Sequence, residues 1–320
     1  MTGPTFPDIL AARERIAPHL ARTPLHRYPA LDELLGFAAY VKHENHQPVG
    51  AFKVRGGVNL IAGLTDAERR RGVVTASTGN HGQSIAWSAR AFGVRAVICV
   101  PAGANPGKVA AIRGFGAEIV EGGAKFDDAA ANAEALAARA GLRFVHSANE
   151  PALIAGVGTY AVEMLEDEPA LDAIVVPVGL GSGAAGTCIA ARHLSPRLRV
   201  VAVQAAASRA VHDSWRSGAI ETRPNETYAE GLATGRAASL TLAILREHLA
   251  DFRVVGEDEI RRATAWWIER CHTLAESAAG AALAGAFAAR RELAGLKVGI
   301  VLSGGNTSIA HLRQALDALA

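Results

Sequence analysis

Short apolar runs alternate with helical segments along most of this 320-residue chain, and several runs end in glycine-rich loops. Gly72–Ala76, Ala173–Val178 and Lys297–Leu302 are apolar over most of their length. A strand is apolar throughout when helices cover both faces of its sheet, which is the arrangement found in parallel sheets. The pattern therefore predicts an α/β fold built on mostly parallel sheets.

Composition and charge limit the kinds of molecule that the protein is expected to bind. The chain is 50% hydrophobic and 20% charged, with a net charge of +2 and no basic stripe that would suit a nucleic acid. No run approaches the roughly eighteen apolar residues of a membrane span, and Met1–Leu20 carries charges before any apolar run. The cysteines, Cys99, Cys188 and Cys271, follow no disulfide or zinc spacing. We expect a cytoplasmic protein with a small-molecule partner, and no nucleic-acid or membrane partner.

Three loops follow predicted strands: Ser77–Gly82, Gly179–Gly183 and Ser303–Asn306. In an open α/β sheet, ligands bind at the carboxyl ends of the strands, where unpaired N–H groups at a helix start can hold an anion. The glycines of Gly179–Gly183, with the hydroxyl of Ser182, favour a phosphate site. Ala184 stands where a dinucleotide fingerprint has its third glycine, so that motif is not matched. Taken alone, this loop is equally compatible with a purely structural turn.

Lys53 is one of only five lysines, and it lies inside the glycine-flanked segment Gly50–Gly57. A lysine amine can lose its proton when desolvated and can form a Schiff base, whereas a guanidinium cannot. Taken by itself, a lysine at such a position is far more often a solvated charge early in a helix.

Four segments in this order resemble the pyridoxal-phosphate (PLP) enzymes of the tryptophan-synthase-β-like fold, also called fold type II: Asn45–Gly57, Ser77–Gln83, Gly179–Gly183 and Ser303–Asn306. Within that group the chain is most similar to the threonine/serine dehydratase and serine racemase branch. The resemblance implies two open, twisted, mostly parallel sheets covered by helices. It also implies a large PLP-binding domain (1–70 and 149–320), a small mobile domain that binds the substrate carboxylate (71–148), and a homodimer.

The resemblance also implies a role for each matching residue. Lys53 would form the Schiff base with PLP and later remove the α-proton of the substrate. The other cofactor-binding residues would be Phe52, Asn80, Gly179, Gly181, Ser182, Gly183, Glu276 and Ser303, with Ser303 facing the pyridine nitrogen. The substrate carboxylate would be bound by Ser77, Thr78, Gly79 and His81. Thr78 also stands where serine racemases place a second catalytic base, which is a serine in those enzymes.

The activity implied is that of a PLP-dependent carbon–nitrogen lyase. It would convert an L-β-hydroxy-α-amino acid of the threonine or serine type to a 2-oxo acid and ammonia by α,β-elimination. A neutral Ser303 hydroxyl at the ring nitrogen favours prompt elimination. Thr78 in place of serine makes racemisation a minor activity at most.

Several alternatives stay open. One is a dehydratase for a bulkier substrate, such as phenylserine, 3-hydroxyaspartate or a hydroxyectoine-derived compound. In that case Gly122–Asp128, with Phe126, would line the side-chain pocket. Others are a serine racemase-like enzyme, a β-replacement enzyme and a catalytically inactive PLP-binding protein.

Some positions depart from the family pattern. Related enzymes place carboxylate ligands for a divalent metal where this chain has Gln204–Ala210, which contains none, so we predict no metal at that position. The chain stops at Ala320 without a regulatory extension, which favours a catabolic enzyme. Ser208–Ala237 lacks clear periodicity and is predicted to be a long loop.

Overall fold

The computed structural model describes residues 2–319 and contains two sheets. The larger sheet has six strands in the order β1-β2-β10-β7-β8-β9, and the smaller has four in the order β5-β4-β3-β6. Within residues 2–319 the strands are β1 (Leu25–Arg27), β2 (Ala38–His43), β3 (Val73–Ala76), β4 (Ala96–Val100), β5 (Glu118–Glu121), β6 (Arg143–Phe144), β7 (Ala173–Pro177), β8 (Arg199–Ala205), β9 (Asp251–Val255) and β10 (Lys297–Leu302). Neighbouring strands are parallel except β1 and β2. The prediction of mostly parallel sheets is confirmed.

Helices connect and cover these strands. In the described part of the chain they are α1 (Phe6–Ile16), α2 (Pro29–Leu35), α3 (Lys53–Ala62), α4 (Asp66–Arg71), α5 (Asn80–Ala91), α6 (Pro106–Gly114), α7 (Phe126–Ala140), α8 (Pro151–Asp167), α9 (Ser182–Leu194), α10 (Ala210–Ser217), α11 (Ser239–His248), α12 (Glu257–Cys271), α13 (Ser277–Ala288) and α14 (Ile309–Asp317). Between residues 2 and 319, every helix falls short of the combined length and apolar character that a membrane-spanning helix requires.

Strand β7 shows why the central strands are apolar throughout. Ile174 and Val176 pack into the core cluster that contains residues of α8 and α9. Ala173 and Val175 point the other way, into the cluster that contains residues of α12 and α13. Because side chains alternate between the faces of a strand, a sheet covered by helices on both faces needs an apolar residue at every position.

All four strands of the smaller sheet lie between residues 73 and 144, inside the range assigned to the predicted small domain. The exact domain boundaries and the mobility of this unit stay predictions. The prediction that Ser208–Ala237 is a long loop is wrong for its first part, because α10 occupies Ala210–Ser217. The buried face of this helix includes the polar residues His212 and Ser214, so the sequence shows no apolar stripe there.

The start of α3 is fixed against the end of β10. The backbone N–H of Phe52 donates to the carbonyl of Ser303 at 3.0 Å, and the N–H of Gly305 donates to the carbonyl of Gly50 at 2.9 Å. A bridge between Ala51 and Gly304 lies between these two bonds. Lys53, the first residue of α3, is thereby held at the carboxyl end of the larger sheet.

Behind Lys53 lies a buried network of four charged side chains, those of Lys42, Glu44, Arg55 and Glu163, with exposures of 0%, 0%, 1% and 5%. Arg55 donates to both carboxylate oxygens of Glu44, each at 2.8 Å, and to both of Glu163, at 2.7 and 2.8 Å. The Lys42 ammonium donates to Glu163 at 2.6 Å. Two cations and two carboxylates cancel, so each buried charge has an oppositely charged partner.

We expect Glu163→Gln to lower the free energy of unfolding by about 3–5 kcal/mol, because it leaves Lys42 and Arg55 buried with one carboxylate for two cations. Urea unfolding of the cofactor-free protein measures this change. The control is Glu166→Gln on the same helix. Glu166 pairs with Arg13 and Arg22 at a side-chain exposure of 38%, and its loss should cost less than about 1 kcal/mol. Equal losses in the two variants would contradict this account of the network.

Candidate active site

Lys53 lies between the two sheets with its amine directed at the start of α9. The ammonium donates to the Ser182 hydroxyl at 2.8 Å, and it lies 5.1 Å from the centre of the Phe52 ring. Burial lowers the pKa of Lys53 to about 8, while the Glu276 carboxylate acts in the opposite direction. A lysine with a lowered pKa exists more often as the free amine, the form that acts as nucleophile or base.

The loop before α9 has the shape of an anion cradle. Gly181, the residue that precedes the helix, has a φ of 92°, a left-handed conformation that favours glycine. A Cβ atom at Gly179 would lie 2.6 Å from the carbonyl oxygen of Gly231, so a side chain there would overlap backbone. The first N–H groups of α9 have no partner within the helix, and the Ser182 hydroxyl in this turn accepts from the Lys53 amine. These features fit a bound phosphate.

Ser303, at the end of β10, supplies a second indication of a ligand. Its side chain is 2% exposed, and its hydroxyl has no hydrogen-bond partner among the described residues. Buried hydroxyl groups in folded proteins are usually paired, so an unpaired one at the edge of a site points to a group that binds there. A ring nitrogen is a suitable partner for a neutral hydroxyl.

Asn80 connects the smaller sheet to two loops of the larger one. Its amide nitrogen donates to both carboxylate oxygens of Glu276, at 3.0 and 2.9 Å, and its amide oxygen accepts from Asn306 at 2.8 Å. Burial raises the pKa of Glu276 to about 7, while the hydrogen bond from Asn80 acts in the opposite direction. The role of Asn80 in cofactor binding stays a prediction, and the structure adds Asn306 as a residue that orients Asn80.

The loop Ser77–Gly82 leads from β3 into α5. The Ser77 hydroxyl accepts from the N–H groups of Gly79 and Gly82, at 3.2 and 3.0 Å, which fixes the loop. Thr78 is partly exposed at its tip. A helix start of this kind suits a carboxylate.

His81 lies in the first turn of α5 but faces away from the loop tip. Its ring nitrogen is 3.0 Å from the Thr75 hydroxyl, and burial, with a smaller contribution from the charge of Lys53, lowers its pKa to about 3. The imidazole is therefore neutral and engaged with β3. We infer that His81 can contribute to carboxylate binding through its backbone N–H, and that Thr75 is a supporting residue that the sequence motif does not reveal.

Two further segments named in the sequence analysis are Gly122–Asp128 and Gln204–Ala210. Gly122 and Gly123 pair with Val100 and Ala102 at the edge of the smaller sheet, and the Phe126 side chain is 49% exposed. Gln204 is buried and accepts from the N–H of His212 at 3.0 Å. Among residues 2–319 no group of three or more His, Cys, Asp or Glu side chains is placed to hold a metal ion.

A lysine, an anion cradle, an unpaired hydroxyl and a second helix start together form a site that fits PLP. The chain belongs to the family of pyridoxal-phosphate dependent enzymes, whose family model matches residues 16–304. Its relatives place it in the threonine/serine dehydratase and serine racemase branch, which confirms the predicted resemblance, cofactor and fold.

One relative is the L-threo-3-hydroxyaspartate ammonia-lyase of Saccharomyces cerevisiae, with 39% identity over 97% of this chain and 95% of the relative. Another is the L-threonine ammonia-lyase of Thermotoga maritima, with 36% identity over 98% and 78% of the two chains. Among solved structures, maize serine racemase matches with a TM-score of 0.92 and 31% identity, over 98% of this chain and 97% of the other. The protein is a PLP-dependent enzyme of the carbon–nitrogen lyase class.

The lowered pKa of Lys53 can be measured in the cofactor-free protein. Amine labelling followed by peptide mass spectrometry should show half-maximal reactivity of Lys53 at about pH 8, because burial disfavours its charged form. The usual lysine value is about 10.4, so Lys53 should be largely reactive at pH 9. The exposed Lys125 in the same sample corrects for the pH dependence of the reagent. A midpoint near 10 for Lys53 would contradict the effect of burial.

Proposed function

We propose that the protein is a dehydratase that converts an L-β-hydroxy-α-amino acid of the threonine or serine type to a 2-oxo acid and ammonia. The observation that carries the proposal is the Lys53 amine, which has a lowered pKa and lies 2.8 Å from Ser182 at the start of α9. Two of the relatives described above are named as ammonia-lyases. Both their names and the site favour loss of ammonia from an amino acid.

The residues that would hold PLP are those of the predicted site. The start of α9, with Gly179, Gly181, Ser182 and Gly183, would bind its phosphate, and the unpaired Ser303 hydroxyl would face its ring nitrogen. Asn80, held by Glu276 and Asn306, would lie at the ring. When bound, PLP supplies an electron sink that makes the α-hydrogen of an amino acid removable.

Substrate binding would place the α-carboxylate on the loop before α5. The N–H groups at the start of this helix and the Thr78 hydroxyl are donors for a carboxylate, and Ser77 holds their backbone in place. Because α5 packs beside Lys53, with the Ser84 hydroxyl donating to the Lys53 carbonyl at 2.7 Å, a carboxylate bound at this loop would place the α-hydrogen near the lysine amine. Orientation of this kind is a large part of enzymatic rate enhancement.

The Lys53 amine would act as the base. Its nitrogen takes the α-proton, the β-hydroxyl leaves as water with one proton, and the resulting enamine is hydrolysed by one water molecule to the 2-oxo acid and ammonia. Water is lost and regained, so the net reaction is amino acid to 2-oxo acid plus ammonia. An amine with a pKa of about 8 is well matched to accept and return a proton near neutral pH.

Lys53→Ala tests this role directly. The variant lacks the amine that binds the cofactor and removes the α-proton. It should therefore lose both ammonia release and the visible absorbance of lysine-bound cofactor, although its phosphate cradle is unchanged. Lys297→Ala, which removes a lysine that is 43% exposed at the amino end of β10, should keep both signals. Retention of either signal in Lys53→Ala would remove the central assignment.

The preferred side chain is a separate question. We expect 2-oxo acid formation from L-threonine, L-serine or L-threo-3-hydroxyaspartate, the last because the 39% identical relative is named for that substrate. Phenylserine should react more slowly, because Phe126, the aromatic residue suggested for its pocket, is half exposed at the edge of the smaller sheet. A panel of these amino acids, assayed for keto acid with and without an added thiol, measures the preference. A new amino acid formed with the thiol would indicate β-replacement, D-serine formed from L-serine would indicate racemisation, and no turnover of any member would support a binding protein.

We also propose a cytoplasmic homodimer. The large apolar side chains of Ile309 and Leu316 on α14 are 67% and 47% exposed, which supports a partner surface on the last helix. The three cysteines are buried free thiols, which agrees with a reducing compartment. Light scattering of the purified protein measures the oligomeric state.

A further inference from the structure

One ion pair outside the assigned site connects the two sheets. Lys108 lies on α6, which packs beside the smaller sheet, and Glu230 begins a short 3₁₀ turn, Glu230–Leu232, beside the larger one. The Lys108 ammonium pairs with the Glu230 carboxylate. Their side chains are 25% and 50% exposed, so the pair lies near the surface.

The turn that carries Glu230 lies directly against the cofactor cradle. The Gly231 carbonyl oxygen is 2.6 Å from the position of a Cβ atom at Gly179. A Cβ atom at Gly231 would be 3.5 Å from a carboxylate oxygen of Glu276. Lys108 faces the same region, since its charge favours the ionised form of Glu276. The ion pair therefore lies at the mouth of the cleft that contains Lys53.

We propose that Lys108 and Glu230 are positioning residues that hold the unit built on the smaller sheet closed over the site. This inference rests on the proposed function only in assuming that the cleft between the sheets is where the substrate binds. Lys108 spans the mouth of the cleft to reach Glu230. Its partner Glu230 is held by the short turn Glu230–Leu232, so the pair fixes the position of α6 in the closed arrangement.

An ion pair at the protein surface is weak enough to break and form again each time the cleft opens and closes during turnover. A partly exposed ion pair changes an opening equilibrium by at most about fivefold. A buried pair would hold the cleft shut far more strongly. Asn80 makes the deeper contact between the same two units, through Glu276 and Asn306, and it defines a second point of closure.

A matched control exists in the smaller sheet. Arg95 and Glu118 also form an exposed ion pair, with side-chain exposures of 52% and 55%. Both lie at the amino ends of their strands, the edge opposite the loops Ser77–Gly82 and Gly122–Asp128, and neither contacts the larger sheet through this pair. Reversing this pair changes surface charge in the same unit without affecting the mouth of the cleft.

The experiment is hydrogen exchange of residues 227–234, measured by mass spectrometry on the cofactor-free protein and on the holoenzyme. We expect Glu230→Gln to raise the exchange rate of this segment about two- to fivefold. Glu230→Lys, which faces Lys108 with a second cation, should raise it further. The double variant K108E/E230K should return the rate toward that of the native protein, because the pair is restored with its signs exchanged. The control R95E/E118R should leave it unchanged.

Steady-state kinetics on the holoenzyme supply a second measurement. In the single variants, KM should rise by a factor no larger than the increase in exchange rate, and kcat should change little. The reason is that the closed form binds substrate more tightly than the open form, and the variants reduce the closed fraction.

Two results would overturn the proposal. One is an unchanged exchange rate of residues 227–234 in both Glu230→Gln and Glu230→Lys. The other is a double variant as open as the single variants, which would show that each side chain acts locally and not as a pair. Hydrogen exchange in the cofactor-free protein does not require turnover, so it tests the ion pair even if none of the amino acids in the substrate panel reacts. Conversely, a dehydratase with unaltered exchange would retain the proposed function and lose only this inference.

Discussion

The position of Lys53 depends on the buried network of Lys42, Glu44, Arg55 and Glu163. Arg55, two residues after Lys53, joins the turn after β2, the start of α3 and the last third of α8 through bidentate contacts with two carboxylates. Removing four charges from water is costly, and the geometry offsets this cost only because each charge has a close partner. Such a network tolerates little displacement. It fixes the start of α3, and the backbone bonds to the end of β10 complete its orientation.

Burial acts on the site in two opposite directions. It lowers the pKa of Lys53 to about 8 and raises that of Glu276 to about 7, because in each case it disfavours the charged form. The result is a base and an acid whose pKa values are drawn toward neutrality within one cleft. Perturbed values of this kind are typical of functional sites. The network behind Lys53 differs, since there the charges are paired and serve to fix the backbone.

Buried and partly exposed ion pairs thus have different roles in this protein. The fully buried pairs of Arg55 join elements within one unit and resist any rearrangement. The partly exposed pair of Lys108 and Glu230 joins two units and is weak enough to form and break. The glycines of the cradle complement both, because Gly179 and Gly181 let the turn that carries Glu230 and helix α11 approach the cofactor site closely.

The sequence by itself determined the α/β class, since strands such as β7 are apolar on both faces, and it placed the glycine-rich loops that follow β3, β7 and β10. Lys53, Ser182 and Ser303 could be identified as a group because the motifs of a known family mark them. The short helix α10 was missed because its buried face carries the polar residues His212 and Ser214. The contact of Asn80 with Asn306, 226 positions away, and the pairing of Lys108 with Glu230 were decided only by the tertiary structure. Local periodicity reports which face of an element is buried, whereas these contacts depend on how two separately folded sheets approach each other.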